Sequence, residues 1–365
     1  MPDGIAPARA PALNPEGQLL DCWYLACLSS ALRPDKPLRR IILGEPVVVA
    51  RGRDGAAFAL RDICPHRAVP LSAGRIVETD GAATLECPYH GWRFRANGVC
   101  ALIPSLVDGQ PYEASRIRVR AYRTHEADGM VFVYVPADPR DPGDSAPPPP
   151  DFGEPLGRPK FAVERVFEAS MDNAVVGLMD PAHVPFVHNQ WWWRPPSTGF
   201  RVKEKRFEPR GEGWAIARHA PAGNSLAYRM LFGGAVTTEI AFMLPGYRWE
   251  VVENARAHLF TLTCLTPETA TTTRITQVTY WRNAPLLDLA RPFLIPAARE
   301  FLDQDGRMVD LQNTSLVFKP TMLWIDDIDV QAKWYHKLKR EWAASRAEDR
   351  PFENPIQPVT LRWRS

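Results

Sequence analysis

Short apolar runs separated by polar and turn-forming residues fill the first third of the chain. Ile41-Ile42-Leu43, Val47-Val48-Val49-Ala50, Phe58-Ala59-Leu60 and Met130-Val131-Phe132-Val133-Tyr134-Val135 have strand length and a strand-like β-branched or aromatic content. Asp54-Gly55, Asp80-Gly81 and Asp108-Gly109 punctuate them, and Asp-Gly is a favoured hairpin turn. The pattern predicts a compact antiparallel β domain over residues 20–136. From 137 to 159 Pro, Asp and Gly dominate, with four consecutive prolines at 147 to 150, and the segment reads as an extended linker. Residues 160–365 then mix threonine-rich strand patterns, such as His258 to Thr263 and Thr271 to Tyr280, with helical stretches near 170–188, 285–315 and Val330 to Ala343. An α+β fold follows, its second domain an antiparallel sheet backed by C-terminal helices.

Composition narrows the classes of function. The 365 residues suffice for two ordinary cores. A formal net charge of +2 gives no broad basic field for nucleic acid. No apolar run approaches the ~18–20 residues of a membrane span. No apolar signal segment precedes Gln18, so a cytoplasmic, thiol-keeping location is expected. The six cysteines, Cys22, Cys27, Cys64, Cys87, Cys100 and Cys264, then read as metal ligands or buried thiols before disulfides.

Two of those cysteines sit beside histidines. Cys64-Pro65-His66-Arg67 and Cys87-Pro88-Tyr89-His90-Gly91-Trp92 each offer one thiol and one imidazole in a loop after a strand-like run. By count alone, two thiolates and two imidazoles suit zinc equally well. A single residue between Cys64 and His66 is tight for two ligands on one ion and easy when each binds a different metal. Gly74, Gly91 and Gly98 are expected to offer free amides to the sulfides of an iron–sulfur cluster.

The paired loops resemble the Rieske motif of ring-hydroxylating and demethylating oxygenases. The resemblance implies a [2Fe–2S] cluster with Cys64 and Cys87 on one iron and His66 and His90 on the other. Respiratory Rieske proteins carry an extra cysteine in each loop, joined as a disulfide; neither loop here has one, which favours the oxygenase branch. A cluster moves single electrons, so an oxygenase needs a second site where O2 is activated, usually two histidines and a carboxylate on one face of iron. Asp180-Pro181-Ala182-His183 leading to His188 resembles that site, with Pro185 expected to break the helix between the histidines. The third ligand of the mononuclear Fe(II) is expected on the helical stretch Ala298 to Gln312. Relatives of the demethylase type place it seven residues before a recurring Gln, which selects Asp305, with Asp303 as the alternative. The resemblance implies that Asp180 is no ligand and carries electrons across a subunit boundary in a homotrimer. Where many relatives have Asn or Glu one turn earlier, this chain has Gly177; Asp172 and Asn173 lie further back, as helix caps or supporting groups.

Directly after His188 comes Asn189-Gln190-Trp191-Trp192-Trp193-Arg194, which offers aromatic surface and a cation for a substrate pocket. Phe242-Met243-Leu244 and Gly246-Tyr247-Arg248-Trp249 are further candidate walls. The implied activity is O2-dependent hydroxylation or oxidative demethylation of an aromatic or other cyclic small molecule. Monooxygenation fits better than cis-dihydroxylation, because 177–183 resembles the dicamba, vanillate and pheophorbide subgroup. No Gly-x-Gly-x-x-Gly fingerprint appears, so electrons come from a separate NAD(P)H-dependent reductase, directly or through a ferredoxin. The competing readings are a Rieske electron-transfer protein fused to a ligand-binding domain, and a zinc-stabilised interaction protein.

Overall fold

The structure is a computed structural model, and it describes residues 14, 17–144, 146–188, 202–220, 232 and 235–364. The chain divides into two compact units, one holding Leu20–Gly157 with Pro267–Thr269, the other built around Arg158–Thr266 and Ala270–Ser365.

The first unit contains three small antiparallel sheets. One orders β1 (Cys22–Leu28), β11 (Met130–Val135) and β10 (Thr124–Ala127). The second orders β2 (Leu38–Ile42), β3 (Glu45–Arg51), β4 (Ala57–Arg61) and β9 (Ala121–Tyr122). The third is a meander of β5 (Arg75–Thr79), β6 (Ala82–Glu86), β7 (Arg93–Arg95) and β8 (Cys100–Leu102). Asp80-Gly81 closes β5 to β6 as a two-residue turn with φ of 49° and 73°. Leu43-Gly44 does the same for β2 and β3 without the Asp-Gly signal. Asp108-Gly109 makes no hairpin: it lies in the loop after β8, with no strand on either side to pair. The proline-rich segment runs against this unit. Trp23 Nε1 donates to the Pro147 carbonyl at 2.9 Å, and the Leu156 and Gly157 amides donate to Asp128 Oδ1.

The second unit is an eight-stranded antiparallel sheet with the order β12-β18-β17-β16-β15-β14-β13-β19. Its strands are β12 (Phe161–Phe167), β13 (Val202–Arg210), β14 (Gly213–His219), β15 (Thr237–Met243), β16 (Tyr247–Glu253), β17 (His258–Pro267), β18 (Thr273–Arg282) and β19 (Val359–Arg364). Helices lie on one face: α1 (Met171–Met179), the single turn α2 (Val184–Val187), α3 (Pro285–Leu316) and α4 (Val330–Ala347). Trp334 and Tyr335 of α4 meet Trp214 and Phe242 of the sheet at 5.7 and 5.9 Å between ring centroids. The 32-residue α3 contains Pro292 and Pro296 in its first half. No described helix is long and apolar enough to cross a membrane.

Candidate metal centres

The two cysteine loops of the first unit close in the same way. The Cys64 amide donates to the Val69 carbonyl at 3.0 Å, and its carbonyl accepts from Ala68 at 2.9 Å. The Cys87 amide donates to Trp92 at 2.8 Å, and its carbonyl accepts from Gly91 at 3.1 Å. The residue four beyond each cysteine has positive φ, Ala68 at 57° and Gly91 at 69°, so two unrelated stretches make one knuckle twice.

Both sulfurs point into the core of the unit, at 3% and 2% exposure, and pack among Leu60, Leu71, Leu85 and Phe94. His90 lies exposed at the rim and His66 half-buried beside it. Their rings are 4.5 Å apart, and His66 stacks on Trp92 at 4.7 Å. Burial pushes the Cys64 thiol up to about 11, and the adjoining Cys87 adds to this; the backbone amides of His66 and Arg67 oppose it. Only a bound metal makes such thiolates affordable. His66 Nδ1 is buried with no hydrogen-bond partner. The free glycine amides expected from the sequence are not there: Gly74, Gly91 and Gly98 donate to Leu71, Cys87 and Arg95 carbonyls. The amides of His66 and Arg67 face the sulfur instead.

Tetrahedral zinc needs its ligand atoms within about 3.3–3.8 Å of one another. Among the described residues, the one group of three or more His, Cys, Asp or Glu whose ligand atoms fall within 4.8 Å is His183, His188 and Asp305. Cys64, Cys87, His66 and His90 therefore do not converge on one ion. Thiols inside and imidazoles outside suit a two-metal cluster.

In the second unit, Ser170 caps α1, accepting from the Asn173 amide at 3.3 Å. Neither Asp172 nor Asn173 is the cap; Asp172 accepts from Tyr335 Oη at 2.9 Å and pairs with Lys339 Nζ at 2.5 Å. Asp180 ends the helix, and its Oδ1 accepts from the Ala182 amide at 2.7 Å, turning the chain into His183. Pro185 does not break a helix; it stands in the first turn of α2, where a missing N–H costs nothing. His188 is the C-cap of that turn, with its side chain fully buried.

His183 Nε2 and His188 Nε2 lie 3.5 and 3.4 Å from Asp305 Oδ1 on α3. Atoms each ~2.1 Å from one ion and at right to tetrahedral angles sit about 3.0–3.4 Å apart. Among the described residues, these three donors thus fit one metal on one side. Gln304 Nε2 donates to Glu300 Oε1 at 3.1 Å, which fixes its Oε1 toward His188 Nδ1, also at 3.1 Å. An amide oxygen only accepts, so His188 carries its proton on Nδ1. Its Nε2 is left buried and unpartnered, facing Asp305.

One guanidinium sets the register of α3. Arg165 on β12 donates to the Asp303 carbonyl at 2.7 Å and to Asp303 Oδ1 at 2.9 Å, and its other nitrogen reaches Asp310 Oδ2 at 2.8 Å. Asp303 is committed to that ion pair, so Asp305 is the carboxylate beside the histidines. A Cβ at Gly306 meets Arg165 Cζ at 2.2 Å. Gly306→Ala must shift the guanidinium, the far end of a flexible side chain, against its two half-exposed aspartates, and about 1 kcal/mol or less of stability is expected to be lost. Calorimetry and metal analysis should show a lower unfolding temperature and lower mononuclear iron content, with the cluster unchanged. The Gln304–Glu300 pair, Arg165 and Gly306 escaped the sequence reading, because each acts through a non-local contact; only Glu300 and Gln304, four apart, left a helical signal.

Burial pushes the Asp305 carboxyl up to about 7, partly opposed by the Arg248 guanidinium. Burial drives His188 down to about 4, against its Gln304 hydrogen bond. It also lowers His183, which Asp180 opposes. The imidazoles are thus neutral and ready to ligate at neutral pH, and of the three donors Asp305, near the midpoint of its titration there, is the one whose proton competes with a metal. Fe(II) affinity of metal-free protein is therefore expected to be level above about pH 7 and to fall by up to about tenfold per unit below it. Equilibrium binding across that range checks the sign; affinity rising toward acid refutes it.

Asp180 Oδ2 lies 3.9 Å from His183 Nδ1. Trp191, Trp192, Trp193 and Arg194 lie outside the described residues. Of the other candidate walls, Phe242 is core, stacked on Trp214 at 4.4 Å, and Leu244, Tyr247 and Trp249 are buried; Arg248 is half-buried and its charge reaches Asp305 and His183.

The family model "Rieske [2Fe-2S] domain" matches residues 22–122, and "Vanillate O-demethylase oxygenase C-terminal domain" matches 167–341. The chain is 36% identical over 173 residues to the oxygenase component of dicamba O-demethylase from Stenotrophomonas maltophilia, covering 46% of this chain and 47% of that protein. It is 33% identical over 183 residues to chlorophyllide a oxygenase of Chlamydomonas reinhardtii, covering 49% and 26%. The chain thus spans half or less of the length of these curated relatives. A crystal structure of dicamba monooxygenase bound to 3,6-dichlorosalicylic acid superposes with a TM-score of 0.66 at 25% identity, over 89% of this chain and 98% of that one. NdmB of Pseudomonas putida CBB5 shares the fold at 20% identity, with a TM-score of 0.65 over 93% and 96%. With one model matching the unit that bears the cysteine knuckles and the other matching the unit that bears His183, His188 and Asp305, the chain belongs to the Rieske non-haem iron oxygenase alpha-subunit family, related to the dicamba and vanillate demethylases and the chlorophyllide and pheophorbide oxygenases.

Proposed function

We propose that this chain is an oxygenase component that hydroxylates or oxidatively demethylates an aromatic or other cyclic small molecule. It uses O2 and electrons from a separate NAD(P)H-dependent reductase, directly or through a ferredoxin. Cys64, Cys87, His66 and His90 hold the [2Fe–2S] cluster; His183, His188 and Asp305 hold the mononuclear Fe(II). The observation that carries the reading is the convergence of the two Nε2 atoms on Asp305 Oδ1, at 3.5 and 3.4 Å, in a chain that also has the paired knuckles. A bare electron-transfer protein has no use for that convergence.

When bound, the mononuclear iron supplies O2 activation, and the cluster supplies electrons one at a time. The chain's own residues do the rest. The buried thiolates keep negative charge inside, while the exposed His90 edge gives electrons an exit at the surface. The Gln304–His188 hydrogen bond holds one ligand ring and its tautomer. Asp180 is the proposed electron bridge: its Oδ2 faces His183 Nδ1, and in a homotrimer its outer edge meets a cluster histidine of the neighbouring subunit.

The protein purified without oxygen is expected to be red-brown, with about three irons and two acid-labile sulfides per chain. With a reductase, O2 uptake should accompany hydroxylated product, or formaldehyde from an aryl methyl ether. Stoichiometric zinc without sulfide refutes the metal assignment. An intact, reducible cluster with no uptake on a panel of aromatic acids, methyl ethers and N-methyl compounds selects the electron-transfer reading.

A further inference from the structure

Three side chains from one turn of α3 surround His188. Phe301, Gln304 and Asp305 stand at i, i+3 and i+4 and so share one helix face. Asp305 Oδ1 lies 3.4 Å from His188 Nε2, and Gln304 Oε1 lies 3.1 Å from its Nδ1. Glu300 accepts from both Gln304 Nε2 and Arg307 Nη2, which keeps the amide in place. Phe301 covers the imidazole itself: the ring centroids are 3.6 Å apart and the planes 16° from parallel.

The stacked ring does what the two edge contacts cannot. The last torsion of a histidine is broad, so its own rotamer does not aim the imidazole. The backbone adds little restraint, since His188 leaves a helix of only four residues with extended φ and ψ of −92° and 114°. Partners at Nδ1 and Nε2 decide which nitrogen faces which group. They act along one line through the ring and leave it free to rock about that line. A flat neighbour on the face resists rocking, because any tilt gives up dispersion contact over the whole ring. His183 has no such support. Its Nδ1 is buried without a hydrogen-bond partner, and Asp180 Oδ2 is 3.9 Å away. Among the described residues no ring stacks on it; His188 meets it edge-on, at 5.4 Å and 69°.

We propose that Phe301 is a positioning residue of the mononuclear metal site: by covering the face of His188 it keeps Nε2 aimed at the metal. With Gln304 on one edge and Asp305 on the other, the α3 turn then sets both the tilt and the tautomer of one ligand. The inference rests on the reading of His183, His188 and Asp305 as metal ligands.

The test uses protein with its cluster intact and oxidised and with the mononuclear site emptied by a chelator. Co(II) is titrated in, and its affinity is read calorimetrically. Electron paramagnetic resonance of the bound Co(II) reports the spread of ligand orientations, because the oxidised cluster is silent. Phe301→Leu keeps an apolar side chain without a flat face. It is expected to weaken Co(II) binding roughly tenfold or more and to broaden the resonance. Phe301→Tyr restores the flat face and should restore both. Gln304→Leu should weaken binding by a similar factor, and the double variant should lose less than the product of the two, since both act on one ring. Cluster absorbance and unfolding temperature report folding; if Phe301→Leu does not fold, Phe301→Met takes its place. A folded non-aromatic variant with unchanged affinity and line width overturns the proposal, as does a tyrosine variant no better than leucine, or losses that simply multiply. In those cases the unaltered protein still binds Co(II), and the metal site stands. An unaltered protein that binds no Co(II) sinks the metal reading and this inference with it.

Discussion

Asp305→Ala is expected to empty the mononuclear iron site and abolish turnover while leaving the cluster's visible spectrum unchanged. Asp305 is the only anion of the three converging donors, and its Oδ1 is the atom that both Nε2 groups approach. Without it, two neutral imidazoles remain, and iron affinity should fall by at least roughly a hundredfold, since supporting residues alone are worth ten- to a hundredfold. Removing the carboxyl also removes a buried acid, so the apo protein should be no less stable. Asp303→Ala is the control. Its carboxylate is 41% exposed and serves Arg165, so about 1 kcal/mol or less of stability is at stake. Metal analysis of both variants decides the assignment. Iron lost in Asp303→Ala and retained in Asp305→Ala would falsify it.

Asp180→Asn tests the electron route, and a loss of turnover of roughly a hundredfold or more is expected with both metals retained. The substitution keeps the size of the side chain and the Oδ1 acceptor for Ala182, so α1 should still end where it does. It removes the negative charge that faces His183. Stopped-flow reduction of the cluster should proceed normally, and its reoxidation in the presence of substrate and O2 should stall. Mixed assemblies give the sharper result. Combining His66→Ala chains with His183→Ala chains should recover activity, because one chain lends a cluster and its neighbour an iron. Combining Asp180→Asn with His183→Ala should not, since both lesions lie on the iron-bearing side. Confirmed mixed trimers of the first kind with no activity would rule out transfer between subunits.

The parts of this protein legible in the sequence are those written in consecutive residues. The knuckles are marked by Cys-Pro-His and Cys-Pro-x-His, the strands by β-branched runs, and α3 and α4 by long helical stretches, because each pattern is local. What the sequence withheld depends on partners far along the chain. Asp303 and Asp305 are two residues apart and so about 200° apart around a helix; either can face inward until something fixes the rotation. Arg165, 138 residues earlier, is what fixes it. The glycine amides looked free because their acceptors, three or four residues back, become available only when the turn closes. Asp108-Gly109 misled for a related reason: a hairpin turn needs two strands, and the dipeptide specifies neither.

The grip of Arg165 on α3 also has a mechanical meaning. Pro292 and Pro296 each withdraw an N–H from the helical ladder, so bending is cheapest there, about two and a half to three and a half turns before Asp305. Leu289 and Phe293, beside those prolines, are exposed and present themselves to whatever arrives from outside. Downstream, the helix is bolted to β12 at Asp303 and Asp310, on either side of the ligand. A push on the first half of the rod is taken up at the prolines and halted at the bolt. The metal cage can then hold its shape when the first half of the same helix bends.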